Sequence, residues 1–350
     1  YAGNLIGALG AIDAGITTLL DWSHIQNTPE HSDATIKALQ ESGLRAVFAY
    51  GNPNTSLADW WFNSSLKHPE DVRRLRTQYF SSEDQLITLA VAPRGPEFTT
   101  MEVARHDWAL AREVGARITV HVGVGENGFS GGVRQMYEEG LLGPDTTYIH
   151  CCTLSDDELK AIIDTGGTFS IATAVEMQMR HGMPPIDRIL RLGARPSLSV
   201  DVETNVPGDM FTQMRAAFQC QRALVNQRAL YGGGYEGENL VTVQDVLEFT
   251  TIEGARANGL EHKTGSLTPG KEADIILLRA DRLNVTPLND PIAAVVIGAD
   301  TGNVDSVFVA GRALKRHGQL LNVDLDHVRK LAVEARDYVV AKAGFTLPAF

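Results

Sequence analysis

Histidine and aspartate side chains stand at the ends of several apolar, β-branched runs of this sequence. His121 follows the run RITV, His150 follows TTYI, and Asp201 follows PSLSV. Imidazole and carboxylate groups together suit a borderline divalent metal such as zinc, and also iron(II) or manganese. A single histidine at a strand end is more typical of a packed residue, so a site is predicted only if the fold brings these ends together.

Seven apolar runs alternate with helix patterns along the chain. The runs are GITTLLD, LRAVFAY, QLITLAVA, RITVHVG, TTYIHC, GTFSIA and PSLSVD. Several segments between them begin on Ser or Asp and end on Gly, as in SDDELKAIIDTGG. This alternation predicts βα units, in which parallel strands are joined by crossover helices.

The number of these units favours an incomplete barrel. Eight units close a (β/α)8 barrel, whereas this chain shows seven. Helical spacing in YAGNLIGALGAIDAG predicts a helix at the first residue, so we expect strand one to lie upstream of Tyr1. The predicted fold class is α/β, a TIM-type (β/α)8 barrel with its first strand missing from this chain. A doubly wound open sheet is the alternative, but no glycine-rich phosphate loop follows an early strand.

The pattern changes after VTVQDVLEFTTIEGARANGL, which predicts one long helix. Short strands with turn glycines and prolines follow in GSLTPGKEADIILLRAD and VDSVFVAGRALKRHGQLL, and NVDLDHVRKLAVEARDYVVAKAG predicts an amphipathic helix. We therefore expect a barrel with strands two to eight over residues 1–258, a small β-sandwich domain over 259–320, and a C-terminal helix over 321–350.

Composition excludes several classes of partner. The formal net charge is -12 and no basic run occurs, so neither nucleic acid nor an anionic membrane is expected as a partner. Three irregularly spaced cysteines argue against a disulfide framework or a cysteine-based zinc site. A reducing, cytoplasmic location is expected, since we find neither a signal peptide nor an apolar run of membrane-spanning length.

A barrel would bring the strand ends together, because the C-terminal ends of all its strands converge on one face. The residues at or just after these ends are His24, Arg94, His121, His150 and Asp201. Because these five residues would lie together on the catalytic face, we predict a functional site there. A catalytic metal needs three or more protein ligands, and the two or three present here indicate that others belong to strand one.

Two segments resemble a known family. GSLTPGKEADIILL resembles the point at which β-sandwich strands resume after the barrel in the amidohydrolase superfamily. The segment from TTYIHCC to VPGDMF is similar to strands six to eight of its cytosine deaminase and chlorohydrolase-like branch. The resemblance, which covers nearly the whole chain, implies a metal-dependent hydrolase of non-peptide carbon–nitrogen bonds. Its substrate would be a heterocyclic, amide, amidine or chloro compound attacked by a metal-activated water.

The resemblance also implies roles for single residues. His121 would be the strand-five metal ligand, Asp201 both ligand and proton acceptor, and His150 a catalytic contact to the water or substrate. One divalent metal is expected, zinc first, with iron or manganese as alternatives. The family's strand-one His-x-His pair occurs nowhere in these 350 residues. Metal occupancy of this chain therefore stays open, and we expect the chain to be a fragment of a longer gene product.

Further site predictions concern the loops. Deaminases of this family commonly carry Glu two or three positions after the strand-five histidine, where this chain has Gly123 and Val124. Glu126, the first acid downstream, is the predicted catalytic substitute, with a solvated loop acid as the alternative. Predicted substrate-binding residues are His24, Arg94, Glu176 and His181, each with a structural role as its alternative.

The expected partners are a small-molecule substrate and further copies of the chain. A barrel that lacks one strand exposes a sheet edge, so a homo-oligomer is predicted. Two alternatives to an active enzyme remain: a catalytically silent barrel, truncated or degenerate and without metal, and a small-molecule binding protein. The sequence does not distinguish deamination from amide hydrolysis or dechlorination.

Overall fold

Parallel strands in sequence order form the main sheet of the protein. The computed structural model describes residues 1–232 and 241–346. The sheet order is β1-β2-β3-β4-β5-β6-β7, and all six neighbouring pairs are parallel. The strands are β1 Thr18–Ser23, β2 Arg45–Tyr50, β3 Ile87–Val91, β4 Arg117–Val122, β5 Thr146–His150, β6 Thr168–Ile171 and β7 Ser197–Leu198. This curled sheet confirms the predicted TIM-type fold, with strands two to eight appearing as β1–β7.

Helices join successive strands and continue beyond them. They are α1 Ala2–Asp13, α2 Pro29–Ser42, α3 Leu57–Trp61, α4 Val72–Gln78, α5 Met101–Glu113, α6 Gly132–Glu138, α7 Asp156–Asp164, α8 Thr173–Gln178, α9 Ile186–Arg191, α10 Met210–Gly232, α11 Val243–Phe249, α12 Ile252–Ala257, α13 Pro291–Ala293 and α14 Leu325–Ala343. Short 3-10 helices cover Gly125–Ser130 and Thr301–Asn303, and a π-helical turn covers Ala294–Gly298. No helix in the two described ranges is both long and apolar enough to cross a membrane.

Side-chain size differs between the two faces of the sheet. Successive residues of a strand point to opposite faces. In β2, Phe48 and Tyr50 pack into the main core, whereas Val47 and Ala49 belong to a separate cluster with Ala90. At these positions of β2, aromatic rings fill one face of the sheet and smaller side chains line the other.

A second sheet follows the barrel strands. It is antiparallel, in the order β11-β10-β9-β8, with β8 Ile275–Leu278, β9 Val304–Val309, β10 Arg312–Arg316 and β11 Gln319–Leu320. The short strands predicted after residue 259 are therefore present, and α14 is the predicted C-terminal helix. Residues 347–350 of that predicted segment lie outside the described residues. The domain boundaries themselves remain predictions.

Three sequence predictions differ from the structure. The helix predicted over 241–260 is divided into α11 and α12, because the Thr250 and Thr251 hydroxyls donate to the Leu247 carbonyl, at 2.9 and 2.8 Å, and compete with backbone bonding. The strand predicted over 196–201 has only two residues, Ser197 and Leu198, which pair with β6. The sequence patterns also missed α10.

A buried ion pair joins the two sheets. Arg45 at the start of β2 donates to Asp274 through Nε at 2.7 Å and Nη2 at 3.0 Å. Both side chains are 2% exposed. Asp274 also accepts from the backbone N–H of Ala310 at 2.7 Å, which connects the pair to the turn after β9. Removing the arginine would leave a carboxylate buried without its counter-charge.

We predict that Arg45→Met lowers the free energy of unfolding by about 3–5 kcal/mol, the usual effect of breaking a buried pair. The double variant Arg45→Met with Asp274→Asn should recover more than half of this loss, because it removes the buried charge and leaves unpaired only Glu272, whose side chain is 35% exposed. Urea denaturation measures both. Lys160→Met breaks the exposed Lys160–Asp164 pair and serves as control, with an expected change below about 0.5 kcal/mol. Equal losses at positions 45 and 160 would contradict this assignment.

Candidate metal centre

The loops after β4 and β5 lie against each other at the C-terminal face of the sheet. Gly123 has φ of +66°, and a Cβ placed there would lie 2.7 Å from the backbone carbon of Cys151. Cys151 donates its N–H to the carbonyl of Val122 at 2.8 Å. Only glycine fits this approach, which explains why no acid occupies position 123. The contact holds the ends of the two histidine-bearing strands together.

Four imidazoles form a row across this face. The ring centroids of His24 and His121 are 5.8 Å apart, those of His121 and His150 5.3 Å, and those of His150 and His181 4.6 Å. His121 and His150 come from neighbouring strands, as predicted. His181 follows α8 and reaches the row because its carbonyl accepts from Gly125 N–H at 2.8 Å. The structure thus brings together the histidines predicted from separate strand ends.

Within the described residues, His150, His181 and Asp201 form a group of side chains that could hold a metal ion. One ligand atom from each lies within 4.8 Å of the others. His150 Nε2 and Asp201 Oδ2 are 3.8 Å apart. The predicted substrate-binding residue His181 therefore stands among potential ligands, and its Nδ1 is buried without a hydrogen-bond partner in the described part of the chain. An unpaired ring nitrogen beside a carboxylate is suited to a metal ion.

The protonation states favour metal binding. Burial lowers the pKa of His150 to about 4 and that of His181 to about 4. Burial also lowers the pKa of His121, with the neighbouring imidazoles adding to the shift. These rings are neutral near pH 7, and neutral imidazole is the form that ligates a metal. Burial raises the pKa of Asp201, whose side chain is 19% exposed.

The backbone at two of these positions is strained. His150 has φ of +71° and Asp201 has φ of +67°, in the left-handed region that side chains other than glycine seldom adopt. Cys151 beside His150 has φ of +57°. Such strain persists only where the surrounding structure enforces it, and it is concentrated at functional sites. It therefore supports a functional role for this face.

Glu176 is completely buried beside His150. Its Oε1 lies 3.1 Å from His150 Nδ1 and accepts from the N–H of Ala172 at 2.8 Å. Burial raises the pKa of Glu176 to about 8. The sequence predicts substrate binding for this residue, and the structure places its carboxyl group against the imidazole.

Two predicted residues have partners elsewhere in the protein. Glu126 lies on the 3-10 helix after β4 and pairs with Arg180 at 3.0 Å, with both side chains more than 80% exposed, at 84% and 89%. Arg94 is fully buried; it donates to the backbone carbonyls of Trp60, at 2.7 Å, and Leu66. The structure does not bring Glu126 into contact with the imidazole row, and its catalytic role stays a prediction.

Glu97 is a partly buried acid at this face that the sequence reasoning missed. It follows β3 and accepts from the backbone N–H groups of Gly123 and Val124, at 2.5 and 3.4 Å. Burial raises its pKa to about 7. Glu97 therefore occupies space beside the two positions where the resemblance leads us to expect an acid. Its place three residues after Arg94, in the same loop as a predicted site residue, was the available signal.

Aromatic rings border the other end of the row. The Trp22 ring lies 4.2 Å from His24 and 4.3 Å from His121, between centroids. Trp61 lies 5.9 Å from His24 and makes an edge contact with Phe98 at 5.3 Å. His24, a predicted substrate-binding residue at this end of the row, thus contacts two indoles. Flat aromatic surfaces of this kind suit a planar ring.

Proteins of known activity resemble this chain over most of its length. A 5'-deoxyadenosine deaminase from Methanothermobacter thermautotrophicus is 29% identical over 344 residues, covering 96% of this chain and 75% of that protein. A 5-methylthioadenosine/S-adenosylhomocysteine deaminase from Symbiobacterium thermophilum is 26% identical over 323 residues, with 89% and 70% coverage.

Solved structures share the fold. An adenosine deaminase from Xanthomonas campestris with bound zinc superposes with a TM-score of 0.83 at 19% identity, covering 97% of this chain and 75% of that one. A mutant of the atrazine chlorohydrolase TrzN from Arthrobacter aurescens, complexed with zinc, gives 0.80 at 19% identity, with 95% and 77% coverage. At these identities the likeness concerns the fold.

The family is established by a match along most of the sequence. Residues 1–314 match the amidohydrolase family. This match, together with the deaminase relatives, confirms the predicted class, a hydrolase of carbon–nitrogen bonds other than peptide bonds. The chain belongs to the amidohydrolase family.

Proposed function

We propose that the protein is a zinc-dependent hydrolytic deaminase of an adenosine-type nucleoside. The convergence of His150, His181 and Asp201 carries this proposal, because their ligand atoms lie within 4.8 Å of one another. The deaminase relatives favour a purine nucleoside as substrate. The indoles of Trp22 and Trp61 beside His24 offer stacking surface for a planar base.

The donor set fits a zinc ion. Two neutral imidazoles and a carboxylate are a usual combination at catalytic zinc sites, and His181 Nδ1, which has no hydrogen-bond partner among the described residues, would be available as a ligand. His121 is the further predicted ligand, 5.3 Å from His150 between ring centroids. When bound, the metal supplies a Lewis acid that makes water nucleophilic near neutral pH.

The protein's own groups would move the proton and orient the reactants. Asp201 accepts a proton from the attacking water, whose oxygen bonds to the ring carbon that carries the amino group. His150 would hold the metal beside this carboxylate, since its Nε2 lies 3.8 Å from Asp201 Oδ2. The proton then passes from Asp201 to the amino nitrogen as the carbon–nitrogen bond breaks, and ammonia leaves. Water and substrate thus give ammonia and the hydroxylated ring, with no other reactant.

The predicted oligomeric state is also part of this proposal. We propose a homo-oligomer, since β1 and β7 are edges of the parallel sheet. Sedimentation velocity tests it, and a monomer at all concentrations would contradict it.

The metal centre is tested first by loading and ammonia release. After addition of zinc, the chain should hold close to one equivalent and release ammonia from 5'-deoxyadenosine, 5-methylthioadenosine or S-adenosylhomocysteine. His150→Ala should lose bound zinc, and Asp201→Asn should lower kcat by about 10²–10⁴ by removing the proton acceptor. His317→Ala, at an exposed turn, is the control and should change neither the zinc content nor kcat.

Other results of this experiment would favour other functions. Chloride release from atrazine without ammonia release from the nucleosides would indicate dechlorination. A chain that retains no zinc, iron or manganese would support the catalytically silent barrel. Binding of nucleosides without turnover in a zinc-loaded chain would support a binding protein.

Trp61→Leu tests the aromatic surface. If this indole stacks on the base, its loss should raise KM about 3–10-fold, because such stacking contributes about 0.5–1.5 kcal/mol. The kcat of the variant should stay within about twofold of the wild type. Steady-state kinetics on the best nucleoside measures this. Trp108→Phe, in the core, is the matched control for loss of an indole and should leave KM unchanged. A fall in kcat alone would place Trp61 outside the binding surface.

Glu97→Gln tests this partly buried acid through the pH dependence of stability. The pKa of Glu97 is raised from 4.5 to about 7 by burial, so the folded chain holds this proton more tightly than the unfolded chain. The resulting stabilisation is full below pH 4.5 and is lost as pH rises through 7. Between about pH 5 and pH 8, the variant should gain about 1–3 kcal/mol of unfolding free energy relative to the wild type. If urea denaturation shows that the difference in unfolding free energy between variant and wild type does not change with pH, the raised pKa of Glu97 is contradicted.

A further inference from the structure

We propose that Glu176 is a positioning residue that fixes the tautomer of His150, so that Nε2, the ring nitrogen 3.8 Å from Asp201, keeps its lone pair free. The inference rests on the metal centre of the proposed function and assigns Glu176 to His150 instead of to the substrate. Its basis is geometric. Glu176 Oε1 lies 3.1 Å from His150 Nδ1, on the side of the ring opposite Nε2.

The direction of the hydrogen bond follows from the second contact of the same oxygen. Oε1 already accepts from the N–H of Ala172 at 2.8 Å, and a backbone N–H can only donate. As a carboxylate, Glu176 can only accept hydrogen bonds, so Oε1 is the acceptor in both contacts. We therefore assign the hydrogen to His150 Nδ1, which donates it to Oε1. Nε2 is left without one.

The environment holds this arrangement in place. Glu176 is 0% exposed and His150 2% exposed, so water does not compete for either group. Ala172 N–H and His150 both lie at Oε1, whereas Oε2 is buried with no hydrogen-bond partner in the described ranges. A ligating histidine held by a carboxyl group through its other nitrogen has a fixed orientation and a more basic ligand atom.

The unpartnered Oε2 makes the inference specific enough to test. Glutamine at position 176 keeps an acceptor oxygen for Ala172 and His150 and puts its amide nitrogen where Oε2 lies. Methionine fills a similar volume without an acceptor. Glu176→Gln should therefore retain the function of the residue, and Glu176→Met should lose it.

The first measurement uses the metal-free protein labelled with ¹⁵N histidine. Long-range ¹⁵N–¹H correlation spectra, with His150 assigned from its absence in His150→Gln, should show His150 protonated at Nδ1 in the wild type and in Glu176→Gln. Glu176→Met should lose this preference. Protonation of wild-type His150 at Nε2 would overturn the inference, whatever the Glu176 variants show.

The second measurement is zinc affinity by competition with a chromophoric chelator. Glu176→Met should weaken zinc binding about 10–100-fold, as expected when the partner of a ligating histidine is removed. Glu176→Gln should remain within about threefold of the wild type. The positioning role would be contradicted if both substitutions weakened zinc binding equally, or if neither weakened it. Failure to release ammonia would count against the proposed deamination but would leave the tautomer result unchanged, so the two failures are distinguishable.

Discussion

The contact between Gly123 and the backbone of Cys151 is the constraint on which the site depends. A Cβ at position 123 would stand 2.7 Å from that backbone, so the loops after β4 and β5 can meet only if one of them contributes glycine. Their contact sets the spacing of His121 and His150 and leaves the Gly123 and Val124 N–H groups to bind Glu97. The same contact that aligns the imidazoles removes the expected acid from its usual position.

Strand periodicity accounts for what the sequence predicted well. His121 and His150 lie at the ends of β4 and β5, and parallel strands bring such ends to one face whatever the loops do. The curled sheet, the second sheet and the C-terminal helix follow from similar patterns. The α11–α12 division was not predictable from periodicity, because it depends on two threonine hydroxyls competing for one carbonyl.

Loop residues show where sequence reasoning stops. Glu126 is close to His121 in the chain, yet it is exposed and paired with Arg180, whereas Glu97 is 24 positions before His121 and lies against the loop that follows it. Glu176 was recognisable as a residue of the right loop, but its contact with His150 depends on how α8 turns. Such placements are set by backbone conformation after the strands, which has no period to detect.

The ion pair between Arg45 and Asp274 has a consequence for how the chain is made. Its partners are separated by 229 positions. At roughly 5–20 residues per second, a ribosome needs about 10–45 s to make the intervening chain. During that interval β2 can pair with β1 and β3, but the charge at its first residue has no buried partner. The final closure of the N-terminal strands therefore waits for the second sheet, which makes this link a late step of folding during synthesis.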